Sequence, residues 1–333
     1  FSAFQDLAVA GLTDVWSAIR KDCGANLYRV VDALPFHGLR SLVDALAAIA
    51  TEEDAKETRW RQKEGALLGF AFAMKKFRRA GSVDHNTTSP RVVAHPPLAP
   101  HVDPPAGGPG GLWFGSALHA ALPLFMTTPI RRVVYPALAH TQLSVRENAI
   151  RLFATFLMRS DHRETTNALG EVLAVLQGRA SLLDFAGAGE CTPGEAPLGA
   201  FAAEGVLGTL VVLVRLLSPA AILRSWDALF ATLQVYLAHP ASTVRQVTSQ
   251  VFLHVATTAR DNDAVGGVKV VTQTLQGLVA TWLIDDAGLA AVFGTDAVPA
   301  GDALAWQAKE GVLLSYELVI NFLLSHHRRN LAP

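Results

Sequence analysis

The sequence predicts an all-α protein built from repeated helical units, and three observations carry that prediction. Apolar residues recur at three- and four-residue spacing along most of the chain, the period of one buried helix face. No segment keeps a period-two alternation; Val268 to Val271 and Leu210 to Val214 are β-branched, but each sits inside a longer helical frame. A phrase also occurs twice, as Trp60-Arg61-Gln62-Lys63-Glu64-Gly65-Ala66-Leu67-Leu68 and as Trp306-Gln307-Ala308-Lys309-Glu310-Gly311-Val312-Leu313-Leu314. A second echo lies between the two copies: His140, Val145, Arg146 and Phe153 recur at equal offsets as His239, Val244, Arg245 and Phe252. One helical unit used several times accounts for such echoes.

The elements follow in order. Phe4, Leu7, Leu12, Val15 and Ile19 predict one helix from Ala3 to Lys21. Leu27 to Leu34 reads as a short helix stopped by Pro35 and Gly38. Leu39, Leu42, Val43, Leu46 and Ile49 predict the next. Thr51 is placed to cap a helix whose first turn holds Glu52, Glu53 and Asp54, and which ends in Lys75, Lys76, Arg78 and Arg79. Ala80 to Gly111 is rich in Pro, Gly and His and is expected to be a loop insertion that tolerates deletion. Asn86-Thr87-Thr88 within it matches a glycosylation sequon, a pattern that arises often by chance. Helical spacing resumes at Leu112, with Pro123, Pro129 and Pro136 keeping the helices short or kinked.

Ser144 to Met158 is the clearest unit, with Val145, Ala149, Leu152, Phe153, Phe156 and Leu157 on one face. Arg163 to Leu183, Ala200 to Leu217, Ala220 to Ala238, Ser242 to Ala259, Val265 to Ile284 and Leu304 to His326 are the remaining helices. Gly187 to Pro197 and Asp285 to Gly301 are expected as loops, the latter with room for one short helix.

The bulk numbers bound the function classes. With 333 residues, half of them hydrophobic, the chain can bury a large core. Charged residues make up 17%, below the usual ~25%, so much surface is expected to be covered by neighbouring units or by partners. A net charge of −1 supplies no global field for nucleic acid or an anionic membrane, so nucleic acid is not an expected partner. Cys23 and Cys191 form neither a disulfide framework nor a metal-ligand spacing. The best candidate for a membrane span, Gly205 to Leu223, carries Arg215 and Pro219, and its uninterrupted apolar core is shorter than the roughly 20 residues a span needs. The chain opens on Phe1 without a basic leader, which gives the expectation of a fragment, a processed form or the ordered part of a longer chain, with no signal peptide visible.

The Val-Arg helix openings resemble HEAT repeats, the helical hairpins of armadillo-type α-solenoids. Ser144-Val145-Arg146-Glu147-Asn148-Ala149-Ile150 resembles the start of the second helix of such a hairpin, and Thr243-Val244-Arg245-Gln246-Val247 is similar, with Thr248 where Ala is usual. The two Trp-x-x-Lys-Glu-Gly phrases resemble the variant opening of large HEAT proteins, which aligns Lys63 with Arg146. The separations between these landmarks are uneven, so the array is expected to be irregular. The resemblance covers most of the chain outside 80–111 and 285–301, so residues 1–333 are expected to form a single array carrying the 80–111 insertion. It implies that Arg146 and Arg245 bond between units near the hairpin turns. By packing, Val145, Val244, Phe153 and Phe252 face inward, and Gly65 and Gly311 mark close helix crossings that offset their cost of about 1 kcal/mol in a helix.

Enzyme constellations are absent from the sequence: no nucleophile elbow, P-loop, His-Glu-x-x-His or paired Cys-x-x-Cys occurs. No catalytic, cofactor or metal residue is assigned. The function expected is a non-catalytic, cytoplasmic or nuclear scaffold that holds partner proteins, within a larger assembly, on a curved repeat surface. One alternative is a tubulin-binding array of the TOG type; another is a helical enzyme or cofactor-binding protein. Trp60, Arg61, Lys63, Lys75, Lys76, Arg78 and Arg79 are the candidate partner-binding residues.

Overall fold

Helical periodicity becomes helix along the chain. The computed structural model describes residues 2–52, 59–77, 122–186, 194–261, 265–279 and 303–330, and all regular secondary structure among them is helical. The chain divides into two units, one formed by 1–165 with 182–190 and the other by 166–181 with 191–333. The 80–111 insertion, the 285–301 loop, Arg78, Arg79 and the helical restart at Leu112 lie outside the described residues.

The first unit opens with α1 (Ser2–Leu12) and α2 (Ser17–Val30). One helix was expected here. Asp14 breaks it: its carboxylate accepts the Trp16 N–H at 2.8 Å, and Trp16 is extended at φ −86° and ψ 121°. A side chain that bonds the backbone two residues on offers the chain an alternative to helix. A 3-10 turn (Val31–Ala33) and Pro35 lead into α3 (Phe36–Thr51), which buries Leu39, Leu42, Val43 and Leu46. Thr51 ends α3 instead of capping the next helix, and its hydroxyl donates to the Ala47 carbonyl at 2.9 Å.

Helix α4 (Arg59–Met74) is the centre of this unit and packs on α1, α2, α3 and, further along the chain, α7. It is buried on all sides from Glu64 to Ala71, so its small residues alternate with Leu67, Leu68 and Phe70 without a polar face. Two short helices follow, α5 (Leu124–Thr127) and α6 (Ile130–Leu138), with Pro123 and Pro129 before them and Pro136 inside α6. Helix α7 (Leu143–Leu157) buries the expected stripe, and Phe153 packs edge-on against Tyr135 with ring centroids 5.8 Å apart.

Helix α8 (His162–Leu176) begins in the first unit and continues into the second. It stops well before the expected Leu183, and Gly178 turns the chain with φ +68°, a conformation that favours glycine. Helix α9 (Ala200–Leu216) is followed by α10 (Pro219–Arg224) and α11 (Trp226–Leu237), where a single helix had been expected. Then come α12 (Ser242–Asp261), α13 (Val265–Leu278) and α14 (Ala303–Asn330). Helix α12 is the centre here, packed on α9, α10, α11, α13 and α14. Phe252 is fully buried between Trp226, at 6.2 Å, and Phe230, at 6.3 Å. No helix among the described residues is long and apolar enough to cross a membrane.

Candidate functional site

The repeated residues build the turns between helices. Carbonyls in the turn just beyond a helix end have no intrahelical donor and need another one. Three arginines answer that need in the same way. Arg20 Nη1 donates to the carbonyls of Asp14 at 2.7 Å and Val15 at 3.0 Å. Arg146 Nη1 donates to His140 at 2.7 Å and Thr141 at 2.8 Å. Arg245 Nη1 donates to His239 at 2.7 Å and Pro240 at 2.8 Å. Each arginine is buried and stands eight residues after the leucine that ends the preceding helix, Leu12, Leu138 or Leu237.

The Glu-Gly of the repeated phrase docks a later helix onto such a turn. Arg20 Nη2 bonds Glu64 Oε2 at 2.8 Å, and Arg245 Nη2 bonds Glu310 Oε2. The adjoining glycine lets the backbones meet. A Cβ on Gly65 would stand 1.5 Å from the Leu12 carbonyl oxygen, and one on Gly311 would stand 2.1 Å from that of Leu237. Both crossings are therefore close, as the sequence suggested. The register differs from the alignment of Lys63 with Arg146. Arg146 is matched by Arg20, earlier in the same unit, and the phrase supplies the acid that receives such an arginine. An apolar-Arg pair, Ile19-Arg20, was the signal that could have located it.

The phrase is thus largely spent on structure, and the candidate partner-binding residues divide accordingly. Trp60 is half-buried, with the Arg61 guanidinium 5.2 Å from its ring. Its counterpart Trp306 is 52% exposed and carries the Arg245 guanidinium 5.3 Å from its ring. Lys75 and Lys76 lie at the other end of α4, about 20 Å from Arg61 at 1.5 Å per residue, so the structure does not join the two basic groups. Lys75 Nζ stacks on Phe72 at 4.3 Å and Lys76 Nζ on Tyr28 at 4.7 Å. Burial, then the neighbouring Arg151 and Arg159, push the Lys75 ammonium below its ordinary pKa. Arg159 caps this end of α4, donating to the carbonyls of Phe77 at 3.0 Å and Lys75 at 2.8 Å.

Lys63 faces a cleft of about 540 Å³ in the first unit. The end of α3 at Thr51, the start of α4 at Lys63, α6 at Arg132 and Pro136, and the turn at His140 and Thr141 line it. Among the described residues no carboxylate lines it. Sequence reasoning found Lys63 but missed Arg132 and the turn, which are far from it in the chain.

Other reactive groups point to packing. Cys23 donates to the Ala8 carbonyl at 3.5 Å, and burial pushes its thiol pKa up, the opposite of what a nucleophile needs. His239 is buried, its Nε2 3.0 Å from the Leu198 carbonyl and its Nδ1 accepting the Ala241 N–H at 3.1 Å. Burial holds its pKa below the ordinary value. Tyr236 stacks on it and donates to the Leu176 carbonyl at 2.9 Å, and burial pushes the phenol up to about 12. Among the described residues no group of His, Cys, Asp or Glu is arranged to hold a metal.

No protein-family model matches the chain, and no curated protein matches it. Two engineered proteins with crystal structures from the Northeast Structural Genomics Consortium resemble it weakly. One covers 92% of this chain and 98% of its own at 13% identity and a TM-score of 0.35. The other covers 95% and 96% at 13% identity and a TM-score of 0.34.

Proposed function

We propose that the chain is an irregular, HEAT-like α-solenoid that works as a non-catalytic scaffold and docks partner proteins on its helical surface. One observation carries the reading: each unit contains the same device, an arginine that staples a helix turn and a Glu-Gly that seats a later helix on it. A helix pair that cannot bury its own apolar face needs such a device to stack, and stacked pairs present extended binding surfaces. Partners are expected to use side chains that the stacking leaves outside the core, among them Arg61 and Lys63. Affinity capture with the wild-type chain and with an Arg61→Glu/Lys63→Glu variant tests the reading. A defined set of proteins should be retained by the wild type and lost by the variant while helical circular dichroism is unchanged. Retention indistinguishable from that of an unrelated helical protein would overturn it.

A second reading, tubulin binding of the TOG type, has one favourable observation. Trp16 is 70% exposed in the α1–α2 turn, where an array of that type presents an aromatic anchor. Co-sedimentation with microtubules at low salt decides it: binding that Trp16→Ala abolishes supports the reading, and no pelleting above the control sinks it.

A further inference from the structure

We propose that the open face of α14 docks on the α1–α2 hairpin of a second copy of this chain, side by side with α2, in a head-to-tail contact. The inference goes beyond the scaffold reading, because it follows from how the helices stack and not from what else they bind.

One packing arrangement occurs twice inside the chain. Helix α9 also carries a Glu-Gly, Glu204-Gly205, so α4, α9 and α14 share that pair. A Val-Arg helix covers the first two, α7 on α4 and α12 on α9. The hydroxyl just ahead of Val-Arg fixes the register: Ser144 donates to Glu64 at 3.3 Å, and Thr243 donates to Glu204. The far ends meet as well, with Arg159 on the Lys75 carbonyl at 2.8 Å and the Thr258 hydroxyl on the Val214 carbonyl at 3.4 Å. Each Val-Arg helix therefore runs parallel to the Glu-Gly helix that it covers.

Helix α14 packs on α11, α12 and α13, and its opposite face is open. Leu67 and Leu207, three residues after the acid, are fully buried, whereas Leu313 at the same place is 52% exposed. Phe70, Leu210, Met74 and Val214 are buried, whereas their counterparts Tyr316 and Ile320 are only half-buried. Exposed Trp306 and Leu324 extend the stripe to about 27 Å at 1.5 Å per residue. Glu310 meets Arg245, but among the described residues no hydroxyl donates to it as Ser144 does to Glu64. A contiguous apolar stripe of this kind marks a contact surface.

The α1–α2 hairpin is open on the complementary side. The residue before the stapling arginine is fully buried in α7 and α12, as Val145 and Val244, whereas Ile19 is 44% exposed. Val15 and Trp16 in the same turn and Leu7 on α1 are exposed with it. Helices α7 and α12 each have a Glu-Gly helix on that side, and α2 meets one only through Arg20, on α4. So α14 presents the kind of helix that covers α7 and α12, and α2 presents the kind that covers α4 and α9. That reciprocity selects a second copy as the occupant. Ala18 stands where α7 and α12 have their hydroxyl, so the contact between copies is mainly apolar and weaker than those inside the chain.

The test follows the weight-average mass of the full chain by sedimentation equilibrium from about 1 µM to about 300 µM. A contact of single helix faces is smaller than the ~1,600 Å² of a standard interface, so the mass should rise with a Kd of about 10–100 µM. Leu313→Glu and Ile19→Glu should each weaken association about tenfold or more, and Lys75→Gln, on neither face, should leave it unchanged. Each Glu variant keeps one intact face, so mixing the two should restore a 1:1 dimer that grows no further, the mark of a heterologous contact. Both side chains reach solvent, so helical circular dichroism should be unchanged; Leu313→Ser and Ile19→Ser should repeat the pattern without adding a charge. A monomer at every concentration, full association in either Glu variant, or a mixture no heavier than its components would overturn the proposal. A monomeric chain that binds a peptide of residues 142–159, and loses it in Leu313→Glu, would assign the α14 face to a helix of another protein instead. Partner capture that persists in the non-associating variants would leave the scaffold reading standing.

Discussion

The Arg20–Glu64–Gly65 group of the first unit and the Arg245–Glu310–Gly311 group of the second have the same chemistry in different settings. In the first, both ionic side chains are buried, Glu64 to 9% exposure, and the Ser144 hydroxyl adds a hydrogen bond to Glu64 at 3.3 Å. In the second, Arg245 is buried but Glu310 is 39% exposed, and Trp306 covers the guanidinium in place of protein on every side. The crossings next to them also differ. One turn on from Arg20 and Gly65 stand Gly24 and Gly69, each in close approach to a side chain, Phe72 and Leu12 respectively. One turn on from Arg245 and Gly311 stand Ser249 and Ser315, whose hydroxyls bond each other at 3.0 Å. The same docking device therefore works with a close glycine crossing or with a hydrogen-bonded serine crossing. It is the protein around the acid, more than the ion pair itself, that sets how much each copy is worth.

The largest expected difference comes from removing the acid. Glu64→Ala leaves Arg20 buried beside a lost counter-charge and should cost about 3–5 kcal/mol. Glu310→Ala lets water reach Arg245 and should cost about 1 kcal/mol or less. Urea unfolding, with hydrogen exchange to locate the loosened unit, measures both; equal losses would show that burial of the acid is not what separates the copies. Next are the glycines. Gly65→Ala drives a methyl group into a backbone oxygen and should cost about 3 kcal/mol, although alanine is the better helix former. Gly311→Ala, with its wider approach, should cost about 2 kcal/mol. A stabilising Gly65→Ala would refute the close crossing.

Smaller effects sharpen the contrast. Ser315→Ala removes the cross-helix bond of the second unit but leaves Ser249 its bond to the Arg245 carbonyl at 2.9 Å, so the cost should be about 1 kcal/mol. Gly69 in the first unit has no such bond to lose, and Gly69→Ala should be worse because a Cβ there meets Leu12 Cδ1 at 2.5 Å.

The smallest effect is a pH dependence confined to the second unit. His239 faces the Leu198 carbonyl, the Ala241 N–H, the Tyr236 ring, Arg245 and Glu204. Burial depresses its folded pKa below the ordinary 6.5, so the unfolded chain takes the proton first as pH falls. The stability that the neutral ring contributes is present above about pH 6.5 and is lost below it. His239→Gln should reduce that slope in urea titrations between about pH 7 and pH 5, leaving the share of His254, whose pKa burial also lowers; an unchanged slope would assign it to other groups.

Helix existence was legible in the sequence because it depends on neighbours three and four residues apart. The α7 stripe, the buried Phe153 and Phe252, and the glycines at close crossings were all readable from spacing and composition. The break at Trp16 was harder to read, because one side-chain bond from Asp14 overrides a good apolar period. Thr51 shows the same limit from the other side: a residue suited to begin a helix instead ends one. The sequence also displayed the Lys-Glu-Gly phrase but not what it was for. Glu64 is 44 residues from Arg20, and Glu310 is 65 residues from Arg245. Nothing local in either stretch marks the other as its partner. Tertiary structure also decided the candidate surface. It left Lys63 beside Arg132 and the Arg146-stapled turn, and set Lys75 and Lys76 at the opposite end of the same helix. Local spacing determines which residues share a face, whereas packing alone decides which distant face it meets.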